Sequence, residues 1–309
     1  MRKMEKKLCG VCPILPTPFD KENHVDVESL RRVVRFLMES KVSGIALFGN
    51  ASEAFALTQA EKEVIAKVVV EENANQVPLV FGAGGTSTET AISSCHWAEE
   101  AGADVLMIMP PYMIKPDAKR VYEYYAGIAS NVSTPIMIQD APGACGVTID
   151  VNTIVKLATE FELIQYVKAE APPTFQKAKS IIDAANGKFT VFGGLNAAFF
   201  YEELCAGVVG TMPAGEFPDV LVRVYDLYTA GKKQEAKEIF YKYLPFIRLG
   251  NIPGGIAMAV HKEVLKQGGI FNTSKVRGPY VPANAFLRDL VADCVEGMDL
   301  KALRWKNTH

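Results

Sequence analysis

The sequence predicts a (β/α)₈ barrel, the TIM-type α/β fold, with a helical C-terminal appendage. Three observations predict it. Short apolar, β-branched runs recur eight times along the chain. Stretches of helical periodicity lie between them. From about Phe217 the pattern changes to helices only.

Segments 11–15, 44–48, 79–82, 105–109, 136–139, 164–168, 190–192 and 208–211 read as strands. They are almost continuously apolar, as parallel strands covered on both faces must be. Segments 27–39, 59–73, 87–101, 118–129, 151–160, 173–185 and 197–206 read as the helices between them. Thr58 and Thr86 or Ser87 are suited to cap helix N-termini, because a hydroxyl there can accept a free backbone N–H. Pro172-Pro173 ends the sixth strand, with Pro173 at the first helical position. A doubly wound open sheet is the competing fold, and it usually carries a glycine-rich phosphate loop after its first strand. Here that strand runs into Pro16-Thr-Pro-Phe-Asp20, and Gly82-Ala-Gly-Gly-Thr86 lacks the spacing. We read the latter as a loop at the barrel mouth. Segments 220–229, 232–248, 256–266 and 283–296 form the appendage, punctuated by Gly231, Gly250, Pro253-Gly254-Gly255 and Gly268-Gly269. The expected division is a barrel over 1–216 and a helical region over 217–309.

The chain has 309 residues, 49% of them hydrophobic, enough to bury a sizeable core. Its net charge is −2, with both signs mixed. No basic stripe points to nucleic acid, so a small-molecule partner is expected. The six cysteines are scattered, and reduced thiols in the cytoplasm are the simplest reading. Cys9-Gly-Val-Cys12 has redox spacing, but no second pair follows at zinc spacing, and packing cysteines are expected. Residues 1–7 are basic, but the segment after them is short and broken by Pro13 and Pro16. Neither a signal peptide nor a membrane span is expected. His24, His96, His261 and His309 show no metal-ligand spacing and read as structural or surface residues.

Reactive side chains of such barrels sit at the C-terminal ends of strands. Lys168 ends the strand Leu163-Ile-Gln-Tyr-Val-Lys168. Desolvation there favours the neutral amine, which can attack a ketone. The bland alternative is a snorkelling or ion-paired lysine. Glu170 lies two residues on, so it shares the face of Lys168 if the strand persists. It can then move protons beside the amine as a general acid/base, or simply pair with it. Gly49-Asn-Ala-Ser-Glu53 follows the second strand. Its backbone N–H groups suit a carboxylate, with Ser52 or Asn50 adding a donor, or it is a plain turn. Gln139, in Gln139-Asp-Ala-Pro-Gly143, can donate and accept but is no strong proton carrier. Gly193-Gly-Leu-Asn196 would let backbone face a ligand, or serve as turn chemistry.

These segments, in this order, resemble the dihydrodipicolinate synthase/N-acetylneuraminate lyase family. The likeness opens at Gly10-Val-Cys-Pro-Ile-Leu-Pro-Thr-Pro-Phe-Asp20 and includes Pro110-Pro-Tyr-Met-Ile-Lys-Pro116. It spans roughly the whole chain. The resemblance implies Lys168 as the Schiff-base residue and the Gly49–Glu53 loop as the carboxylate holder. It also implies a homotetramer, a dimer of dimers, and a class I mechanism without cofactor or metal.

The departures bear on the reaction. The family's usual relay tyrosine stands at Gln139, its loop hydroxyl at Asn50 and its second tyrosine at Met113. The arginine that dihydrodipicolinate synthases use for the aldehyde's carboxylate falls at Ala144. Most members follow the lysine directly with an acid, whereas this chain reads Lys168-Ala-Glu170. That pattern, with Ser52-Glu53 and Gln139-Asp-Ala-Pro142, is similar to the 2-keto-3-deoxy-pentonate dehydratase branch. The implied activity is a lyase removing water from a 2-keto-3-deoxy sugar acid. The alternatives are an aldolase of the same family, releasing or condensing pyruvate, and a homologue that only binds a small acid. The expected catalytic residues are Lys168 and Glu170. The expected substrate-binding residues are Asn50, Ala51, Ser52, Gln139, Gly194 and Val209.

Overall fold

Strands and helices alternate through residue 211 of the computed structural model, which describes residues 7–307. The order is β1 (Gly10–Val11), α1 (Val27–Glu39), β2 (Ile45–Leu47), α2 (Gln59–Asn73), β3 (Leu79–Gly82), α3 (Thr88–Glu100), β4 (Val105–Ile108) and α4 (Ala118–Ala129). It continues with β5 (Ile136–Asp140), α5 (Pro142–Cys145), α6 (Val151–Glu160), β6 (Ile164–Ala169), α7 (Thr174–Ala185), β7 (Thr190–Phe192), α8 (Phe200–Ala206) and β8 (Gly210–Thr211). The helices α9 (Pro218–Thr229), α10 (Lys233–Leu249), α11 (Ala257–Gln267), α12 (Ala285–Val295) and α13 (Lys301–Arg304) follow. Residues 1–6, Thr308 and His309 lie outside the described residues, and with them most of the basic N-terminal stretch.

The chain divides into two compact units. The first comprises residues 7–9, Pro78–Leu195 and Phe199–Met212. Within it β3, β4, β5, β6 and β7 pair in sequence order, all parallel. The register sets Gln139 beside Lys168 and Lys168 beside Phe192. Gly193 bridges to Thr211 of β8. All four residues of β4 are buried, as expected where helices cover both faces. Helix α3 turns Ala91, Cys95 and Ala98 inward, and α4 turns Val121, Tyr125 and Ile128. Tyr125 is fully buried, and its hydroxyl donates to the Ile108 carbonyl at 2.8 Å. Ser87, Asp117 and Asp150 cap their helices through side-chain oxygens.

The second unit comprises Gly10–Val77, Asn196–Ala198 and residues 213–307. Ile14 bridges to Ala46 and to Ala214. Thr58 and Glu61 form a reciprocal capping box on α2. Helix α11 is buried along nearly its whole length, from Met258 to Leu265, polar residues included. Phe36 packs edge-on against Trp305 with centroids 5.6 Å apart, and Phe217 against Phe246 at 5.3 Å.

Several boundaries differ from the sequence reading. β1 spans only Gly10–Val11, and Ile14 keeps single bridges, because Pro13 and Pro16 supply no N–H to a ladder. β5 and β6 each run one residue further, to Asp140 and Ala169. α8 starts at Phe200 because Leu195, Asn196 and Ala197 take left-handed φ values of 46°, 49° and 59°. Pro173 is the cap of α7 rather than its first helical residue. The short helices α5 and α13 have no counterpart in the sequence reading.

Candidate active site

Lys168 is the penultimate residue of β6 and only 4% exposed. The strand ends at Ala169, yet the two-residue period still carries Glu170 to the side of Lys168. Glu170 Oε2 lies 3.2 Å from Lys168 Nζ and accepts Gln139 Nε2 at 2.7 Å. Glu170 Oε1 accepts the Leu195 N–H at 3.0 Å. Its own N–H donates to the Asp140 carbonyl at 2.9 Å. The carboxylate is thus held by a side chain of β5 and by the backbone after β7, with one edge against the amine. Charge-assisted hydrogen bonds of this kind fix the position of the carboxylate.

Gly194 has a steric role in this group. A Cβ at that position would stand 2.4 Å from Glu170 Cγ and 2.5 Å from its Oε1. Gly194→Ala is therefore expected to displace Glu170. Misplacement by about 1 Å costs ~10²-fold in rate, so kcat should fall by that order while amine adducts still form. A Gly194→Ala protein with unchanged kcat would refute this account.

Val209 lies just before β8, where its N–H donates to the Val191 carbonyl at 2.9 Å, and Thr211 bridges to Gly193. Two buried acids absent from the sequence reading stand nearby. Asp140 is fully buried on β5. It accepts the Ile149 N–H at 3.0 Å and lies 3.3 Å from Lys177 Nζ. Burial raises its carboxyl above the ordinary value despite those partners. Glu203 lies on the buried face of α8. Its spacing to Phe200 and Leu204 was the available signal, since an acid on an apolar helix stripe needs an explanation.

In the second unit, Asn50–Ser52 form a tight 3₁₀ turn flanked by left-handed Phe48 and Glu53, with φ of 60° and 56°. Ser52 is committed to the loop itself. Its hydroxyl donates to the Leu15 carbonyl at 2.7 Å, and its carbonyl accepts the Thr17 hydroxyl at 2.7 Å. The donor expected from Ser52 is therefore spent on the backbone. Among the described residues the N–H groups of Asn50 and Ala51 have no acceptor, so the turn keeps the anion-binding character of a nest.

The C-terminal helical region braces this turn. Glu53 is fully buried, pairs with Lys262 Nζ and accepts the Arg277 N–H at 2.7 Å. Lys262 is also fully buried. It donates to the Lys275 carbonyl at 2.9 Å and sits 4.3 Å from the Phe19 ring centroid. Burial pulls its ammonium down to about 8, against the pull of Glu53. Arg277 grips Glu61 at 2.5 and 2.9 Å and holds that carboxyl at about 2. Tyr280 donates its hydroxyl to the Asn50 carbonyl at 3.3 Å.

The remaining polar features have local partners. His261 and Glu216 form a buried pair at 2.7 Å, and His96 meets the Asn131 carbonyl at 2.7 Å. His24 lies exposed beside Asp20. No disulfide joins the six cysteines. Among the described residues no cluster of three His, Cys, Asp or Glu side chains has metal-binding geometry, and no helix is long and apolar enough to cross a membrane.

Comparison with known proteins places the chain. Residues 7–297 match the model of the dihydrodipicolinate synthetase family. An L-2-keto-3-deoxyarabonate dehydratase from Azospirillum brasilense is 29% identical over 303 residues, covering 96% of each chain. A 4-hydroxy-tetrahydrodipicolinate synthase from Chlorobium luteolum is 31% identical over 281 residues, covering 91% of this chain and 94% of its own. The crystal structure of dihydrodipicolinate synthase from Rhodopseudomonas palustris superposes with a TM-score of 0.87 at 25% identity, over 93% of this chain and 97% of that one. The strand order and these matches agree: the chain belongs to the dihydrodipicolinate synthetase family and is a (β/α)₈-barrel lyase.

Proposed function

We propose that this protein dehydrates a 2-keto-3-deoxy sugar acid through a Schiff base on Lys168. The observation that carries the reading is Glu170, held 3.2 Å from Lys168 Nζ by Gln139 and the Leu195 N–H. A carboxylate there takes the proton-moving part that Gln139 cannot play. The dehydratase of Azospirillum brasilense, similar along the whole chain, supports the choice of reaction.

The neutral Lys168 amine adds to the C2 ketone and water leaves, giving an iminium. The iminium draws electron density from C3, and the Glu170 carboxylate removes a C3 proton. The resulting enamine pushes out the C4 hydroxyl, which departs as water with the proton Glu170 took. Tautomerisation places an aldehyde at the far end, and hydrolysis of the iminium releases a 2-oxo acid semialdehyde and restores Lys168. The N–H groups of Asn50 and Ala51 are assigned to the substrate carboxylate, and Gln139 to the orientation of Glu170. The iminium is the electron sink of this scheme, which assigns no part to a metal or cofactor. By the family resemblance we assign a homotetramer in the cytoplasm.

Borohydride reduction in the presence of pyruvate or a 2-keto-3-deoxy acid should fix an adduct on Lys168, located by peptide mass spectrometry. Absence of any adduct defeats the Schiff-base reading. Product analysis then separates the reactions. Release of pyruvate from the deoxy sugar acid would make the enzyme an aldolase, while water loss with a semialdehyde product supports the dehydratase.

A further inference from the structure

Helix α8 carries an acid that this reaction does not use. Glu203 lies between Phe200 and Leu204 on the buried face and is 0% exposed. Its Oε1 accepts the Thr174 hydroxyl at 2.6 Å. Its Oε2 has no hydrogen-bond partner among the described residues. That oxygen lies against the Gly193 backbone, where a Cβ would stand 1.8 Å away, so a side chain at 193 would displace the acid. The next residue is Gly194, whose missing Cβ admits Glu170. Neighbouring residues of an extended segment point to opposite sides. Two adjoining glycines therefore seat two acids, one on each side of the strip that follows β7.

The charged groups that reach Glu203 are Glu170, from the end of β6, and Glu202, its neighbour on α8. Both are acidic, and neither offers Glu203 a counter-charge. Removing a carboxyl from water without a cationic partner favours the protonated form. Burial accordingly pushes the Glu203 carboxyl up to about 8. Because Thr174 donates to Oε1, the acid's own proton falls to Oε2, over Gly193.

We propose that Glu203 is a positioning residue that works un-ionised, a neutral acid behind the Gly193–Gly194 strip that keeps a second negative charge away from Glu170. The proposal rests on Glu170 being the proton carrier. A negative charge behind Glu170 raises its proton affinity and that of the Lys168 amine beside it. Glu170 then surrenders its proton to the leaving hydroxyl more slowly, and Lys168 attacks the ketone more slowly. Activity therefore declines as Glu203 ionises.

Two readouts test this with Glu203→Gln, which keeps the shape and cannot ionise. The first is the pH profile of kcat, each protein normalised to its own value at pH 7. Wild type should decline through an ionisation near 8, and the variant should lack that decline or show it at least about one pH unit higher. The second is thermal unfolding. The folded acid keeps its proton up to about pH 8, against an ordinary 4.5. Its contribution to stability is therefore fully present below 4.5 and is lost as pH rises through about 8. The variant's Tm should rise relative to wild type across that window and then level. Superimposable kcat profiles, or a Tm difference independent of pH, would overturn the proposal. If the variant does not fold, infrared spectroscopy of wild type decides. The carbonyl stretch of a neutral acid should persist at pH 7 and titrate away near 8, and its absence at pH 7 overturns the proposal. A failure of the Glu170 reading appears elsewhere, as normal turnover in Glu170→Gln.

Discussion

Glu170→Gln is expected to lower kcat by roughly 10²–10⁴-fold, the usual loss when a positioned general acid/base is removed. Lys168 should still form its borohydride-trapped adduct. The substitution keeps the acceptor for the Leu195 N–H, which the carboxylate takes at 3.0 Å. It removes the negative charge 3.2 Å from Lys168 Nζ and the ability to accept a C3 proton. The iminium should therefore accumulate without turning over, and KM should change less than kcat, the signature of an interaction made in the transition state. Glu170→Asp is a demanding companion, because one methylene less withdraws the carboxylate from Gln139 and from Leu195 together. Near-normal turnover in Glu170→Gln would place the proton carrier elsewhere. Loss of the adduct as well would show that Glu170 instead tunes the amine.

Lys262→Met should be the most destabilising single change in the second unit, by about 3–5 kcal/mol, the usual cost of stranding a buried charge. Both members of the pair have fully buried side chains. Without the ammonium, Glu53 keeps, among the described residues, the Arg277 N–H at 2.7 Å. That single bond does not offset the desolvation of a carboxylate. Adding Glu53→Gln removes the stranded charge, so the double variant should recover part of the loss. Urea unfolding of wild type, both single variants and the double variant measures this. If Lys262→Met costs under about 1 kcal/mol, the pair behaves like a surface ion pair and the brace is not what holds the turn. By the proposed assignment of the Asn50 and Ala51 N–H groups to the substrate carboxylate, the effect should extend to substrate handling, because Glu53 closes that turn.

Local rules carried much of the architecture. Helices α1, α2, α4 and α6 begin and end where the sequence reading put them, because each is delimited by an apolar period and a polar cap within a few residues. Lys168 and Glu170 share a side because a strand alternates every two residues, and that period needs no knowledge of the rest of the chain. The family match over residues 7–297 rests on ordered motifs of the same local kind.

Tertiary structure decided what those residues meet. Glu170 finds Gln139, 31 residues away, and the Leu195 N–H, 25 residues away, and it fits only because position 194 has no side chain. Glu53 reads as the end of a loop, yet it is sealed by Lys262 and by Arg277, 224 residues on. Ser52 looked like a donor for a ligand and instead ties itself to Leu15. The difference is physical. Propensity, capping and periodicity act over one or two turns of chain. Burial, ion pairing and steric room are set by whichever segments the fold brings together. Sequence alone therefore determined that a lysine and an acid share one strand end. Only the packing of β5, β7 and α8 around that strand decided how the acid is held and which second acid stands behind it.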